Sequence, residues 1–165
     1  MIWRDDDVLW QDYGLNQLFA VDDLLKSYGQ RHTVAVLADT LTDEVAAALL
    51  ERKMDVQLHA WHHDDLSVDE AAIAQLPQAI ARIEACIGQK PTVLYPPWNR
   101  VSDRLKTAAK ELGLRVSHEK ISLGYYLRMN GNVPDYSVVN FHYWADECAM
   151  LPEALALYTS RHRAA

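Results

Sequence analysis

The sequence predicts an α/β fold, an incomplete or distorted (β/α) barrel of about six to seven mainly parallel strands with helices outside. Short apolar runs alternate with longer amphipathic patterns along the 165 residues, as in chains that build a parallel sheet. A complete eight-stranded barrel takes roughly 250 residues, so we expect an incomplete one. An open doubly wound sheet is the rival, but no glycine-rich phosphate loop follows a predicted strand, which argues against a nucleotide-binding version.

The predicted strands are short runs of apolar and β-branched residues. An opening strand leads into Arg4, and Pro96 and Pro97 stop the fourth strand. The strands after the first cover residues 33–37, 55–59, 92–95, 114–117 and 137–141. Direct counting therefore gives six strands.

The predicted helices are amphipathic segments with recognisable ends. Ser102 caps one helix, and Gly88 and Gly113 terminate two others. We expect Pro77 to kink the longest helix, because proline cannot donate the backbone hydrogen bond. The helices cover residues 15–28, 43–53, 69–87, 103–112 and 152–160.

The charge balance argues against one class of partner. The chain has 16 Lys+Arg against 23 Asp+Glu, and this net charge of −7 disfavours nucleic acid. No apolar run approaches the ~20 residues that span a bilayer, so we expect no membrane span. The first residues lack a signal-peptide pattern, so we expect a cytoplasmic protein with one domain over residues 1–165. The oligomeric state is left open.

Two segments near predicted strand ends carry side chains that metals prefer. Three adjacent carboxylates at 5–7 form either a solvated acidic turn or a site where a divalent cation offsets their repulsion. His59 and His63 are spaced so that a helical turn would place both rings on one side. A lone His pair is more often structural, but three His within residues 59–63, followed by two Asp, favour a metal.

Two further segments combine aromatic residues with a rigid turn or a histidine. Pro96 and Pro97 fix the backbone and display Trp98 with its amide N–H, although a stiff loop explains this pattern equally well. Phe141 and His142 end the last strand and, alone, fit a half-buried histidine in an aromatic patch. Because active sites of parallel α/β folds form at the carboxyl ends of strands, we expect all four segments to meet. Together they supply the metal, base, oxyanion donor and acid of a hydrolase.

In their order and type, these residues resemble the polysaccharide deacetylase family (carbohydrate esterase family 4, the NodB homology domain). The matching motifs are Asp6-Asp7, His59-x-x-x-His63, Pro96-Pro97-Trp98 and Phe141-His142. They span residues 4 to 144, and the first two are fairly specific in combination. The resemblance implies the incomplete barrel of that family and hydrolysis of an N-acetyl or related acyl group from an amino sugar or polysaccharide.

The resemblance also implies roles for single residues. Asp7, His59 and His63 would bind a divalent metal, zinc first, with cobalt or nickel as alternatives. Asp6 would be the general base and His142 the general acid that protonates the leaving amine. The backbone N–H of Trp98 would hold the oxyanion. The residues expected to contact the N-acylated sugar are Trp61, Pro97, Trp98, Asn99, Tyr143 and Trp144.

The sequence departs from the family pattern in two places. Tyr95 stands where the family has an arginine that orients the base, and Arg4 or Arg100 is a candidate to replace it. The family's Asp-and-Trp motif that supports the acid has no clear match, and Glu119 or Asp146 is a candidate for that role. Two alternatives therefore stay open, a catalytically inactive carbohydrate-binding relative and a hydrolase of another amide such as a formyl group.

Tryptophan is unusually frequent, with five Trp against two Phe. Trp3, Trp61, Trp98 and Trp144 lie within a few positions of the candidate site residues, and Trp10 follows the acidic cluster. Sugar rings stack their C–H faces on such flat side chains, although some of the five can be core residues. The pattern favours a saccharide substrate.

Overall fold

The protein is built on a parallel sheet that curls into a half-barrel. The computed structural model describes residues 1–8 and 14–162. The strands in this part of the chain are β1 Ile2–Val8, β2 His32–Leu37, β3 Asp55–Ala60, β4 Val93–Leu94, β5 Arg115–Val116, β6 Ile121–Ser122 and β7 Val138–Phe141. Their order in the sheet is β5-β4-β3-β2-β1-β7-β6, with every pairing parallel. The predicted incomplete barrel is confirmed.

Helices cover the convex face of the sheet. They are α1 Leu15–Ser27, α2 Asp43–Glu51, α3 Glu70–Ala74, α4 Leu76–Ile87, α5 Asp103–Glu111, α6 Leu123–Arg128 and α7 Leu151–His162, with short 3-10 helices at Pro97–Asn99 and Asp146–Met150. Side-chain caps fix several starts: Ser102, for example, accepts the N–H of Leu105. In the described residues, no helix has the length and apolar character needed to cross a bilayer.

Two helix and strand predictions differ from the structure. The predicted helix over 69–87 is two helices, because Pro77 lies in the first turn of α4, where a proline starts a helix rather than kinks one. Strand β6 and helix α6 were not predicted, since β6 has only two residues and gives no periodic signal. The other predicted elements are present with ends shifted by a few residues.

Strand β1 is an interior strand of the sheet, and the acidic cluster lies inside it. The prediction that residues 4–7 directly follow the opening strand is therefore wrong, as is their interpretation as a solvated acidic turn. Parallel neighbours pair with β1 on both sides, Trp3 opposite His32 of β2 and Asp5 opposite Phe141 of β7. These pairings provide hydrogen-bond partners for the backbone N–H and C=O groups of β1, so the strand continues through its charged residues.

Side chains of β1 alternate between the two faces of the sheet. Trp3, only 1% exposed, packs edge-on against Tyr126 of α6 and Tyr158 of α7, at ring-centroid distances of 5.9 and 5.8 Å. Trp3 is therefore a core residue on the helix-covered face. Arg4 lies on the other face, where its guanidinium stacks on the ring of Tyr95.

A chain of buried charges links helix α1 to strand β1. Asp22 accepts hydrogen bonds from Lys26 at 2.6 Å and Arg52 at 2.9 Å, and its other oxygen lies 3.6 Å from Nδ1 of His32. Nε2 of His32 lies 3.5 Å from a carboxylate oxygen of Asp5. Burial alone would raise the pKa of Asp22, but its hydrogen bonds with His32, Lys26 and Arg52 outweigh burial and lower the pKa to about 2.

We predict that Asp22→Asn destabilises the fold in a pH-dependent way. The pKa of Asp22 falls from 3.8 to about 2 on folding, which corresponds to at most about 2 kcal/mol of stability at pH 7. A lowered carboxylate pKa stabilises above the unfolded value and loses that contribution as the pH falls toward the folded value. Urea unfolding should therefore show a large gap between wild type and variant at pH 7 and a smaller gap at pH 3. A gap that widens at pH 3 would contradict this account.

Candidate active site and metal centre

Strand β1 ends in a backbone conformation that turns the Asp7 side chain. The φ angle of Asp7 is 55°, in the left-handed region that costs a non-glycine residue roughly 1 kcal/mol. The register against β2 also shifts between Asp5 and Val8. Such irregularities re-aim a side chain at the end of a strand and are concentrated at functional sites.

Two histidine rings converge on the Asp7 carboxylate. Nε2 of His59 lies 2.8 Å from Oδ1 of Asp7, and Nε2 of His63 lies 3.0 Å from the same oxygen. Burial alone would raise the pKa of Asp7, but the two imidazoles outweigh burial and hold that pKa well below its usual range. Asp7, His59 and His63, which we call the Asp-His-His cluster, bring three potential ligand atoms within 4.8 Å of one another.

The hydrogen bonding of His59 fits a cation in this cluster. Nδ1 of His59 lies 2.5 Å from the backbone carbonyl of Tyr95 and therefore donates its hydrogen there, because a carbonyl oxygen only accepts. In a neutral ring, Nε2 then presents a lone pair to the Asp7 oxygen, and among the described residues it has no hydrogen-bond partner. Two electron-rich atoms facing each other inside a protein need a proton or a metal cation between them. Imidazole and carboxylate ligands are the set that zinc and similar ions take.

His63 reaches the cluster through a bend rather than a helix. β3 runs through Ala60, and residues 61–63 form bends, so the predicted helical turn is wrong although both rings do face the same carboxylate. His62 points elsewhere and pairs with Asp39 at 2.6 Å. The indole of Trp98 packs edge-on against the His63 ring, at 4.4 Å between centroids.

Arg4 is the cation that holds Asp6. Nη2 of Arg4 donates to Oδ2 of Asp6 at 2.7 Å and to Oδ1 of Asn99 at 2.8 Å. Arg4 is fully buried, Asp6 is 2% exposed, and the Tyr95 ring lies 4.5 Å from the guanidinium carbon. Of the two arginines considered from the sequence, Arg100 instead forms an ion pair with Asp65.

His142 is held by an acidic residue that the sequence analysis did not select. Nδ1 of His142 lies 2.8 Å from Oε1 of Glu147, and Nε2 lies 3.5 Å from Oδ2 of Asp7. Burial lowers the pKa of His142, but Glu147 and the charges of Asp7 and Asp6 outweigh burial and raise it above the ordinary value.

Neither Glu119 nor Asp146, the two candidates from the sequence, fills the role of Glu147. Glu119 is exposed in the connection between β5 and β6, and Asp146 is exposed at the start of the last 3-10 helix. The signal that points to Glu147 is its position in that same 3-10 helix, which follows β7 directly and brings the chain back to His142.

The aromatic residues divide between site and core. Trp98 is 52% exposed beside His63, and the ring of Trp144 lies 5.1 Å from the His142 ring. Trp61 is partly buried and packs against the core. Tyr143 is only 4% exposed, so its ring is not presented to a substrate as predicted.

The remaining predicted contact residues lie in the turn after β4. Pro97 is buried, and Asn99 is partly exposed and engaged by Arg4. The backbones of Trp98 and Asn99 both have left-handed φ angles, 53° and 55°. Trp10 lies outside the described residues.

A family model described as polysaccharide deacetylase matches residues 8–117, about two thirds of the chain. No protein with a curated description matches the sequence.

Solved structures share the fold at low sequence identity. A family 4 carbohydrate esterase from Streptomyces lividans, solved with acetate, is 15% identical with a TM-score of 0.80, covering 98% of this chain and 88% of that one. A family 4 acetyl xylan esterase from Clostridium thermocellum, solved with a cobalt ion, is 17% identical with a TM-score of 0.76. The match covers 99% of this chain and 83% of that one. BA3943 from Bacillus anthracis, a CE4 family pseudoenzyme, is 14% identical with a TM-score of 0.81. The match covers 98% of this chain and 60% of that one. The chain thus spans less than two thirds of BA3943.

We predict that His63→Ala weakens binding of zinc and His62→Ala does not. Losing a ligand should cost at least the 10–100-fold that loss of an outer hydrogen-bond partner costs. His62 is the matched control, since it is adjacent in sequence but pairs with Asp39. Calorimetric titration of the metal-free protein with zinc measures both affinities. Equal losses in the two variants would contradict the assignment.

We predict that Glu147→Gln lowers the pKa of His142. The variant removes the carboxylate that favours the protonated ring while keeping a side chain of similar size. Because the native pKa is raised, the ring should lose its proton at lower pH in the variant than in wild type. An NMR titration of the histidine side chains in metal-free protein measures both values, and an unchanged His142 titration would refute the prediction.

Proposed function

Because the chain belongs to the polysaccharide deacetylase family, we propose that it is a metal-dependent hydrolase that removes an N-acetyl or related acyl group from an amino sugar or polysaccharide. One observation carries the proposal: the Asp-His-His cluster lies directly beside a buried, arginine-held carboxylate and a carboxylate-held histidine. An amide is a poor electrophile with a poor leaving group, so its hydrolysis needs a polarising cation, a base and an acid together.

The Asp-His-His cluster would hold the metal, which we propose is zinc, with cobalt or nickel as alternatives. The donor set supports this, as does the cobalt ion in the similar acetyl xylan esterase. When bound, a divalent cation would polarise the acyl carbonyl and lower the pKa of a nearby water.

Asp6 is the proposed general base that takes a proton from the attacking water. Arg4 holds one oxygen of Asp6 at 2.7 Å and leaves Oδ1 without a hydrogen-bond partner among the described residues. Asn99 and the Tyr95 ring in turn hold Arg4 in place.

His142 is the proposed general acid. When the C–N bond of the amide breaks, its electron pair leaves with nitrogen, which takes a proton from Nε2 of His142. Glu147 at Nδ1 fixes the ring and favours the protonated form that this step requires. The backbone N–H of Trp98 is the proposed donor to the oxyanion formed from the carbonyl.

The proposed sugar contacts are the exposed face of Trp98 and the partly buried Trp144, with Asn99 and Trp61 nearby. Trp98 is the most exposed aromatic side chain at the site, and a flat indole suits the C–H face of a sugar ring. Pro97 and Tyr143 are buried, so their contribution is to shape the backbone around the site.

An inactive carbohydrate-binding relative is the second candidate function. The structural likeness to the pseudoenzyme BA3943 supports it, as does Tyr95 at the position of the family arginine. Against it stands Arg4, which supplies a guanidinium to Asp6 from within β1 rather than from the Tyr95 position after β4.

We predict that Asp6→Asn abolishes deacetylation while zinc stays bound. General base catalysis contributes typically 10²–10⁴-fold, so kcat should fall by at least ~100-fold. Free amine and acetate released from an N-acetylglucosamine oligosaccharide by the zinc-loaded protein measure the effect. N-formyl sugars and simple amides extend the panel to the other acyl groups.

Asp103→Asn is the control, since Asp103 is exposed on α5 and should leave kcat unchanged. Turnover that survives Asp6→Asn would remove Asp6 from the mechanism. Saccharide binding without hydrolysis of any acylated substrate by the zinc-loaded wild type would instead establish the inactive relative.

A further inference from the structure

The side chain of Asp5 extends the contact between β1 and β7 beyond the last backbone pair of the two strands. Its backbone lies opposite Phe141, the final residue of β7. Oδ1 of Asp5 accepts the backbone N–H of Tyr143 at 2.9 Å, across 138 residues of sequence. This bond fixes the chain one residue after His142, at the point where it leaves the sheet.

The other end of the Asp5 side chain is held from the opposite direction. Its Oδ2 lies 3.5 Å from Nε2 of His32, and both side chains are fully buried. The ring of Phe141 stacks on the ring of His32 at 6.1 Å and 21°. Beyond His32, Asp22 is anchored by a surface lysine and arginine. Acidic and basic side chains thus alternate from the surface to the Tyr143 N–H.

None of these groups lies in the Asp-His-His cluster or in the proposed base and acid. Asp5 nevertheless contacts the loop that carries the acid, through the Tyr143 N–H. Glu147 fixes the His142 ring, while Asp5 fixes the backbone beneath it. A general acid must lie within hydrogen-bond reach of the leaving nitrogen, so both the ring and its backbone need support.

We propose that Asp5 is a positioning residue for His142, acting through the backbone N–H of Tyr143 and held in place by His32. The inference rests on the proposed function, because it gives His142 the role of acid. It is an anchor built from a buried carboxylate, and it acts on proton delivery rather than on metal binding or on the base.

The test compares two substrates in the zinc-loaded protein. An amide, here an N-acetylglucosamine oligosaccharide, needs a proton on its leaving nitrogen, whereas p-nitrophenyl acetate has a leaving group that departs without one. Asp5→Leu removes the acceptor for the Tyr143 N–H and should lower kcat on the amide at least ~10-fold, a part of the 10²–10⁴-fold that an acid supplies. The KM for the amide and the rate on the ester should stay within about threefold of wild type.

Three further variants sharpen the comparison. Asp5→Asn keeps an oxygen that can accept the Tyr143 N–H and should retain most of the amide activity. Asp103→Leu repeats the aspartate-to-leucine change at an exposed position and should change neither rate. If Asp5→Leu does not fold, Asp5→Ser carries the test, since its hydroxyl is too short to reach Tyr143.

Amide hydrogen exchange measures the hydrogen bond between Asp5 and the Tyr143 N–H independently of activity. The Tyr143 N–H should exchange faster in Asp5→Leu than in wild type and keep its protection in Asp5→Asn. Amide and ester rates that fall together, or unchanged Tyr143 exchange in Asp5→Leu, would overturn the inference while leaving the proposed function in place. A wild type that hydrolyses neither substrate would overturn both.

Discussion

The burial of four consecutive charged side chains in β1, an interior strand, is the constraint on which the rest of the structure depends. Arg4, Asp5, Asp6 and Asp7 are each at most 7% exposed. A buried charge without a partner costs several kcal/mol, so the strand can exist only if each position finds a partner within the strand or on another element. The partners are Asp6 and Asn99 for Arg4, His32 and Tyr143 for Asp5, Arg4 for Asp6, and His59 and His63 for Asp7.

Parallel topology makes this compensation possible. β1 is flanked by β2 and β7, and the carboxyl ends of β1, β3, β4 and β7 open on the same edge of the half-barrel. Because side chains along β1 alternate between the two faces of the sheet, Arg4 and Asp6 pair on one face, while Asp5 faces His32 on the other. At Asp7, Nε2 of His59 and Nε2 of His63 face the same carboxylate oxygen, while Nδ1 of His59 is engaged by the Tyr95 carbonyl. This last position of the strand is where a cation fits.

Spacing and the rule that strand ends meet were sufficient for the class of fold and for expecting the acidic cluster and the His pair to lie together. The choice of Asp7 among the three carboxylates came from the family resemblance. The sequence was insufficient for contacts that depend on side-chain direction. Arg4 rather than Arg100 holds Asp6 because alternation in β1 places both side chains on one face of the sheet. Glu147 pairs with His142 because a short 3-10 helix returns the chain to the end of β7, and no periodic pattern in the sequence predicts that helix. Trp3 was grouped with the site by proximity in sequence, yet alternation places it in the core.

The account depends most directly on the Asp-His-His cluster being a metal centre. A crystal structure of the zinc-loaded protein, with anomalous diffraction recorded at the zinc edge, measures this. The account predicts one strong peak, with Nε2 of His59, Nε2 of His63 and a carboxylate oxygen of Asp7 each about 2.0–2.2 Å from the ion. A zinc ion bound elsewhere, such as between His62 and Asp39, or no ion at the cluster in a zinc-saturated crystal, would contradict it.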